Sequence, residues 1–170
     1  MAVTQDNRAV VYSGEDARFE YIYKFVSRDA IKPGGAAANA TLLDHGTLYV
    51  ARFDAEGKGT WLPLVHGQGP LTAANGFADQ GEVVIKARQA SDILGGTKMD
   101  RPEWLTIDPD SGWVYCTLTN NSQRGETGKP GVDAANPRAN NVMGQIIRWK
   151  DEGDFDGRRF EWNLMVLAGD

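Results

Sequence analysis

Cys116 is the only cysteine, which excludes an internal disulfide and a multi-cysteine zinc site. The two histidines, His45 and His66, sit in Gly-flanked turns with no second His, Cys or carboxylate at ligand spacing. Neither has the setting of a zinc ligand or a general base. Lys and Arg never cluster into a basic stripe, and 18 of them against 23 Asp and Glu leave a net charge of -5. Nucleic acid is therefore not the expected partner. No apolar run approaches the roughly 20 residues of a membrane span, so no transmembrane segment is expected. The start, MAVTQDNRAVVYSG, lacks the charged opening and apolar core of a signal peptide. Gly67 and Gly69 precede Pro70 with no Lys-Ser/Thr after them, so they form no phosphate loop. The acids of 151–157 suggest half a calcium loop, but the twelfth position from Glu152 is Asn163 rather than Glu, and a solvated turn is the better reading.

What is present is glycine at segment edges, with 20 in all, and five tryptophans. This combination marks a β-rich chain with short strands and frequent turns. Strand patterns are predicted at 9–14, 19–27, 47–53, 60–65, 104–107, 113–119, 145–150 and 160–166. In the second, Phe19, Tyr21, Tyr23 and Phe25 alternate with Glu20, Ile22 and Lys24, a period of two. Pro63 points to an edge position, since it has no N–H for a ladder. One helix is predicted over 80–94, an insertion packed over the sheet. Its apolar side is Val83, Val84, Ala87, Ala90 and Leu94, with an Asp79/Glu82 capping box at its start and Gly95-Gly96 at its end. The last four strands, each antiparallel to the next, make one blade-like unit over 101–168, and the earlier pairs look like parts of two more blades. The expected fold is mainly β: a partial β-propeller of two to three blades with one inserted helix near 80–94. A small sandwich or orthogonal barrel is the alternative. Both ends of the chain look like cuts through a repeating architecture, so residues 1–170 are read as one fragment of a larger propeller domain.

The stretch from Met99 to Trp149 carries the chemistry. Apolar strand patterns there flank loops holding Arg101, Glu103, Asn120, Asn121, Asn136, Arg138, Asn140 and Asn141. A loop that only closes a turn needs one Asn or Gly. Oxygen donors with guanidinium groups suit hard cations and an anionic ligand such as phosphate. Glu103 and Arg138 also have blander readings, as a surface acid near a turn and a partner in a salt bridge. Arg101 either pairs with Glu103 or faces substrate. Cys116 lies within a strand, where a buried, inert thiol is expected.

The runs VVYSGEDARFEYIYKFVS, LLDHGTLYVARFDAEGKGTWLPL, FADQGEVVIKARQASDILGGTKMDRPEW, GWVYCTLTNN and NPRANNVMGQIIRW resemble, in order, the PhoX-type alkaline phosphatase family. The MDRPE and NPRA segments are the distinctive ones. The resemblance implies a β-propeller enzyme, periplasmic or secreted, that hydrolyses small phosphate monoesters with calcium and iron. It implies a metal-ligand role for Glu103 and a catalytic, phosphate-holding role for Arg138. Asn120 is assigned beside the metal, and Asn121 and Asn140 beside the substrate. Two positions depart from the family pattern: Asn140 stands where some members carry a carboxylate, and Gln145 where many carry His. The family's cysteine ligand belongs upstream, so its role does not pass to Cys116. The isolated chain is expected to have little activity. Three further expectations stay open: a non-enzymatic propeller module with a structural calcium or partner site, hydrolysis of another ester or lactone, and self-association through exposed edge strands.

Overall fold

The structure, a computed structural model, describes residues 1–169. Its strands are β1 (Ala2–Val3), β2 (Arg8–Gly14), β3 (Ile22–Ala30), β4 (Gly46–Phe53), β5 (Lys58–Pro63), β6 (Pro102–Ile107), β7 (Val114–Leu118), β8 (Gln145–Asp151) and β9 (Arg159–Leu167). They form one antiparallel sheet in the order β1-β2-β3-β4-β5-β9-β8-β7-β6. The sheet curls until β2 meets β6. A Cβ on Gly14 would stand 2.5 Å from the Pro102 carbonyl oxygen, so only glycine permits the approach. The mainly β architecture with a small helical insertion matches the sequence reading, and the nearly closed sheet is consistent with a propeller-like arrangement.

Strands β6 to β9 form a meander, and β9 also pairs with β5 through Lys58, Gly59 and Thr60. Pro63 lies beyond that pairing, opposite Tyr49 of β4, where its missing N–H costs nothing. Inside the curl, Trp61, Trp149 and Phe160 are fully buried, and Tyr12, Phe53 and Trp162 pack around them. Ring centroids lie 5.1 Å apart for Trp61–Phe160 and 6.1 Å for Trp61–Trp149, the tilted and edge-on contacts that aromatic quadrupoles favour.

The helical insertion differs from expectation. After the four-residue α1 (Gly35–Ala38), it is two helices, α2 (Gln80–Ile85) and α3 (Ala87–Leu94), interrupted at Lys86, whose φ of -97° and ψ of 35° leave the helical region. The Lys86 ammonium donates to the Gly76 carbonyl and pairs with Glu82. Asp79 caps α2 by accepting from the Glu82 amide at 2.9 Å, while the Glu82 carboxylate reaches back to the Ala78 amide rather than that of Asp79. Val83 and Ala90 are buried, but the kink leaves Val84 exposed. Three short elements were not foreseen: β1, α1 and a 3-10 turn over Ala73–Asn75.

The alternation in β3 is real, yet both faces are buried. Tyr21 and Tyr23 pack with Leu64, Leu71, Phe77 and the helices, while Ile22 and Val26 enter the aromatic core. Lys24 enters it too, fully buried. Its ammonium donates to Asp151 Oδ2 at 2.7 Å and to the Phe155 and Gly157 carbonyls, and lies 4.8 Å from the Trp61 ring centroid. Tyr12 and Trp61 also donate to Asp151. Asp151 therefore ends β8 inside the core, not in a solvated turn. The following acids are engaged as well: Asp154 accepts from the Gln5 amide, and Asp156 pairs with Arg8.

Burial pulls Lys24 below the ordinary lysine range despite the attraction of Asp151, and burial likewise raises Asp151 despite Lys24. Both shifts disfavour charge, so desolvation outweighs mutual attraction across the pair. Asp151→Ala strands the Lys24 ammonium and is expected to cost about 3–5 kcal/mol in urea unfolding. The double change Lys24→Met with Asp151→Leu should cost less than that single one. A double variant as unstable as the single would refute the stranded-charge explanation.

Candidate functional site

Pairing register gathers one end of the β6–β9 meander. Pro102 stands opposite Leu118, Leu118 opposite Gln145, and Gln145 opposite Leu167. The start of β6, the end of β7, the start of β8 and the end of β9 therefore lie side by side. The loop between β2 and β3 joins them: Arg18 bridges Asp100, and the Phe19 amide donates to the Met99 carbonyl.

The long connection from β7 to β8 has no helix or strand of its own, and side chains join its backbone bonds in fixing its position. Asp100 and Arg124 supply the anchor, an ion pair with both side chains at 0% exposure. Arg124 Nε donates to Asp100 Oδ1 at 2.6 Å. Its other nitrogens reach the Lys98 and Gly131 carbonyls, and its guanidinium lies over the Phe19 ring. Asn121 donates to Asp100 Oδ1 at 3.0 Å and Asn141 to Asp100 Oδ2 at 3.1 Å. Asn136 accepts from the Asp100 amide and donates to Asp133 and the Lys98 carbonyl. Gln145 donates to the Ala135 carbonyl. Buried polar groups demand such partners, and here each amide satisfies another part of the loop.

The residues singled out from sequence separate on this frame. Asn121 is fully buried, with its side chain on Asp100. Asn120 is half-buried, and its oxygen accepts from Arg101 at 3.4 Å. Arg101 pairs with Asp16 through Nε at 3.0 Å and a second nitrogen at 3.1 Å, so its carboxylate partner is Asp16 and not Glu103. Asn140 is exposed at φ 47°, its amide on the Arg124 carbonyl. Glu103 is exposed in the irregular stretch of β6 between Pro102 and Leu105, with no hydrogen bond or ion pair at its carboxylate among the described residues. Arg138 is half-buried. Its guanidinium donates to the Ala168 carbonyl at 2.8 Å, to Asn141 Oδ1 at 3.1 Å and to the Gly144 carbonyl. Those contacts place Arg138 beside the start of β8 and the end of β9. Glu103 is at the start of β6, two strands across from β8, so both lie at one end of the meander.

Gly144 lets the turn before β8 pack against the end of β7. It sits at φ 76°, and a Cβ there would be 2.3 Å from the Thr119 carbonyl oxygen. Cys116 is buried as expected, its thiol pushed up to about 12 by burial, with a backbone hydrogen bond from Glu103 a smaller opposing effect. Sequence reasoning passed over Asp100 and Arg124. The available signal was a lone acid and a lone base flanking the asparagines, in MDRPE and NNSQR.

A metal centre needs several convergent ligands, and among the described residues no three His, Cys, Asp or Glu side chains are placed to hold an ion. Glu103 offers one exposed carboxylate.

Comparison with known proteins accounts for this class of mainly β chain with a polar mouth. Residues 1–170 match the family described as alkaline phosphatase PhoX. The solved structure of Pseudomonas fluorescens PhoX in complex with vanadate, a transition state analogue, is 54% identical, with a TM-score of 0.93. The similarity covers 99% of this chain and 30% of that one, so the chain spans less than a third of that protein's length. No curated protein matches the chain. The chain belongs to the PhoX alkaline phosphatase family.

The buried pair gives this site its first test. Asp100→Ala removes the buried carboxylate partner of Arg124, leaving it only Asp133 at 3.4 Å, and is expected to destabilise by about 3 kcal/mol, with limited proteolysis cutting first within 119–144. Cleavage starting elsewhere, at unchanged stability, would show that the loop is held by other means.

Proposed function

We propose that this chain is part of a metal-dependent phosphatase acting on small phosphate monoesters, and that its contribution is Arg138 and Glu103 at one mouth of the sheet. The observation that carries this reading is their placement at the same end of β6–β9, in a chain 54% identical to a phosphatase solved with vanadate. Arg138 would hold the non-bridging oxygens of the phosphoryl group, whose charge spreads over those oxygens during transfer. Asn140, exposed beside it, and Asn121, through the loop it fixes, would support substrate binding. Glu103 would give one carboxylate to a cation, with Asn120 alongside. Calcium and iron are the metals the family likeness supports, their other ligands coming from outside these 170 residues. On the same likeness, 101–168 serves as one blade of a larger propeller, and the enzyme works in the periplasm or outside the cell. No helix among the described residues is long and apolar enough to cross a membrane. Trp104, Val142, Met143 and Met165 are exposed apolar side chains on or next to this meander, as a surface covered by further sheets would have.

A second reading has its own support. The donors of Arg138 rest on backbone carbonyls, and most asparagines of the cluster serve Asp100. A module whose polar loops are purely structural would look the same there. Glu103→Ala and Arg138→Ala in the full-length protein separate the two. Under the phosphatase reading each lowers kcat/KM for a chromogenic phosphate monoester by about 10²-fold or more, with Glu103→Ala leaving the melting temperature unchanged. Lower melting temperatures with intact turnover would support the structural module. The isolated 170-residue chain, given calcium and iron, is expected to hydrolyse the same ester negligibly. Robust turnover would place all the ligands within it.

A further inference from the structure

Asn141 lies between the buried anchor and the proposed phosphate-holding arginine, and it is 2% exposed. Every polar atom of its side chain and backbone amide is engaged. Nδ2 donates to Asp100 Oδ2 at 3.1 Å and to Gln145 Oε1 at 3.2 Å. Oδ1 accepts from Arg138 at 3.1 Å and from the Gly144 amide at 3.0 Å. Its backbone exchanges hydrogen bonds with Asn121 in both directions, at 3.1 Å and 2.6 Å. The side chain therefore cannot turn without breaking contacts on both sides. Its amide dipole is also oriented with purpose: the NH2 end must face the Asp100 carboxylate, which leaves the oxygen to face the guanidinium.

From this geometry we propose that Asn141 is a positioning residue for Arg138. It transmits the fixed location of the Asp100–Arg124 pair to the guanidinium, and it holds the 141–144 turn whose Gly144 carbonyl is a second acceptor for the same guanidinium. The role rests on the reading of Arg138 as the phosphate-holding group. Asn suits the task better than Asp. A carboxylate at 141 would repel Asp100 and would neutralise Arg138, competing with the phosphate that Arg138 is there to receive. Arginine grips an oxyanion through a planar fork, so its value depends on the angle at which that plane is held.

The test is a double-mutant cycle in the full-length protein, with inorganic phosphate binding followed by calorimetry and folding by scanning calorimetry. Asn141→Ala is expected to weaken phosphate binding by about tenfold or more, and in an Arg138→Ala background to weaken it by less than about twofold. Asn141→Ser is uncharged and keeps one hydrogen-bonding group, so it reads the same role if the alanine variant folds poorly. It is expected to weaken phosphate binding in the same direction, by less than the alanine variant. Losses from Asn141→Ala and Arg138→Ala that simply add would overturn the positioning role while leaving Arg138 as the phosphate-holding group. Phosphate affinity unmoved by Arg138→Ala would defeat the reading of Arg138, and the role of Asn141 with it. A melting temperature lowered by either Asn141 variant, with phosphate affinity intact, would leave Asn141 a structural residue only.

Discussion

A carboxylate and a guanidinium with no exposed surface, Asp100 and Arg124, hold the long β7–β8 connection against one end of the sheet. Two charges so far from water are tolerated only when every remaining lone pair and N–H finds a partner. The chain meets that demand with amides drawn from its longest irregular segment, which is how a loop without helix or strand comes to hold one place. The consequence reaches the surface in a single step through Asn141, which touches the anchor on one side and Arg138 on the other.

A second buried pair, Lys24 with Asp151, does similar work at the other end of β8. It draws β3, the turn after β8 and, through Tyr12 and Trp61, strands β2 and β5 onto one carboxylate. Hydrophobic burial alone is non-directional. A charged group that must be matched atom for atom gives a curled sheet its register in a way that an aromatic cluster cannot.

Much of the fold was legible because period-two alternation survives even where both faces are buried. The predicted strands lie within a few residues of the observed ones, from 9–14 against Arg8–Gly14 to 160–166 against Arg159–Leu167. The helix break at Lys86 was hidden because apolar spacing runs through it and Ala87, Arg88 and Gln89 favour helix, although the β-branched Val83, Val84 and Ile85 before it do so less. Lys24 read as an ordinary polar position, and Asp151 as the first acid of a solvated turn, because sequence carries no sign of a partner more than a hundred residues away. At the candidate site the sequence marked a segment rich in polar side chains without showing their partners. Asparagine is equally a ligand and a hydrogen-bonding brace. Asn121, read as lining the substrate, donates to Asp100, and Asn136 and Asn141 of the same cluster also bond to that residue.

A structure of the full-length protein with vanadate or phosphate bound tests the central claim most directly. The account expects the anion within hydrogen-bonding distance of the Arg138 guanidinium, Asn141 still joining that group to Asp100, and the Glu103 carboxylate on a cation nearby. An anion bound elsewhere, with Arg138 resting only on the Gly144 and Ala168 carbonyls and Glu103 open to solvent, would contradict it.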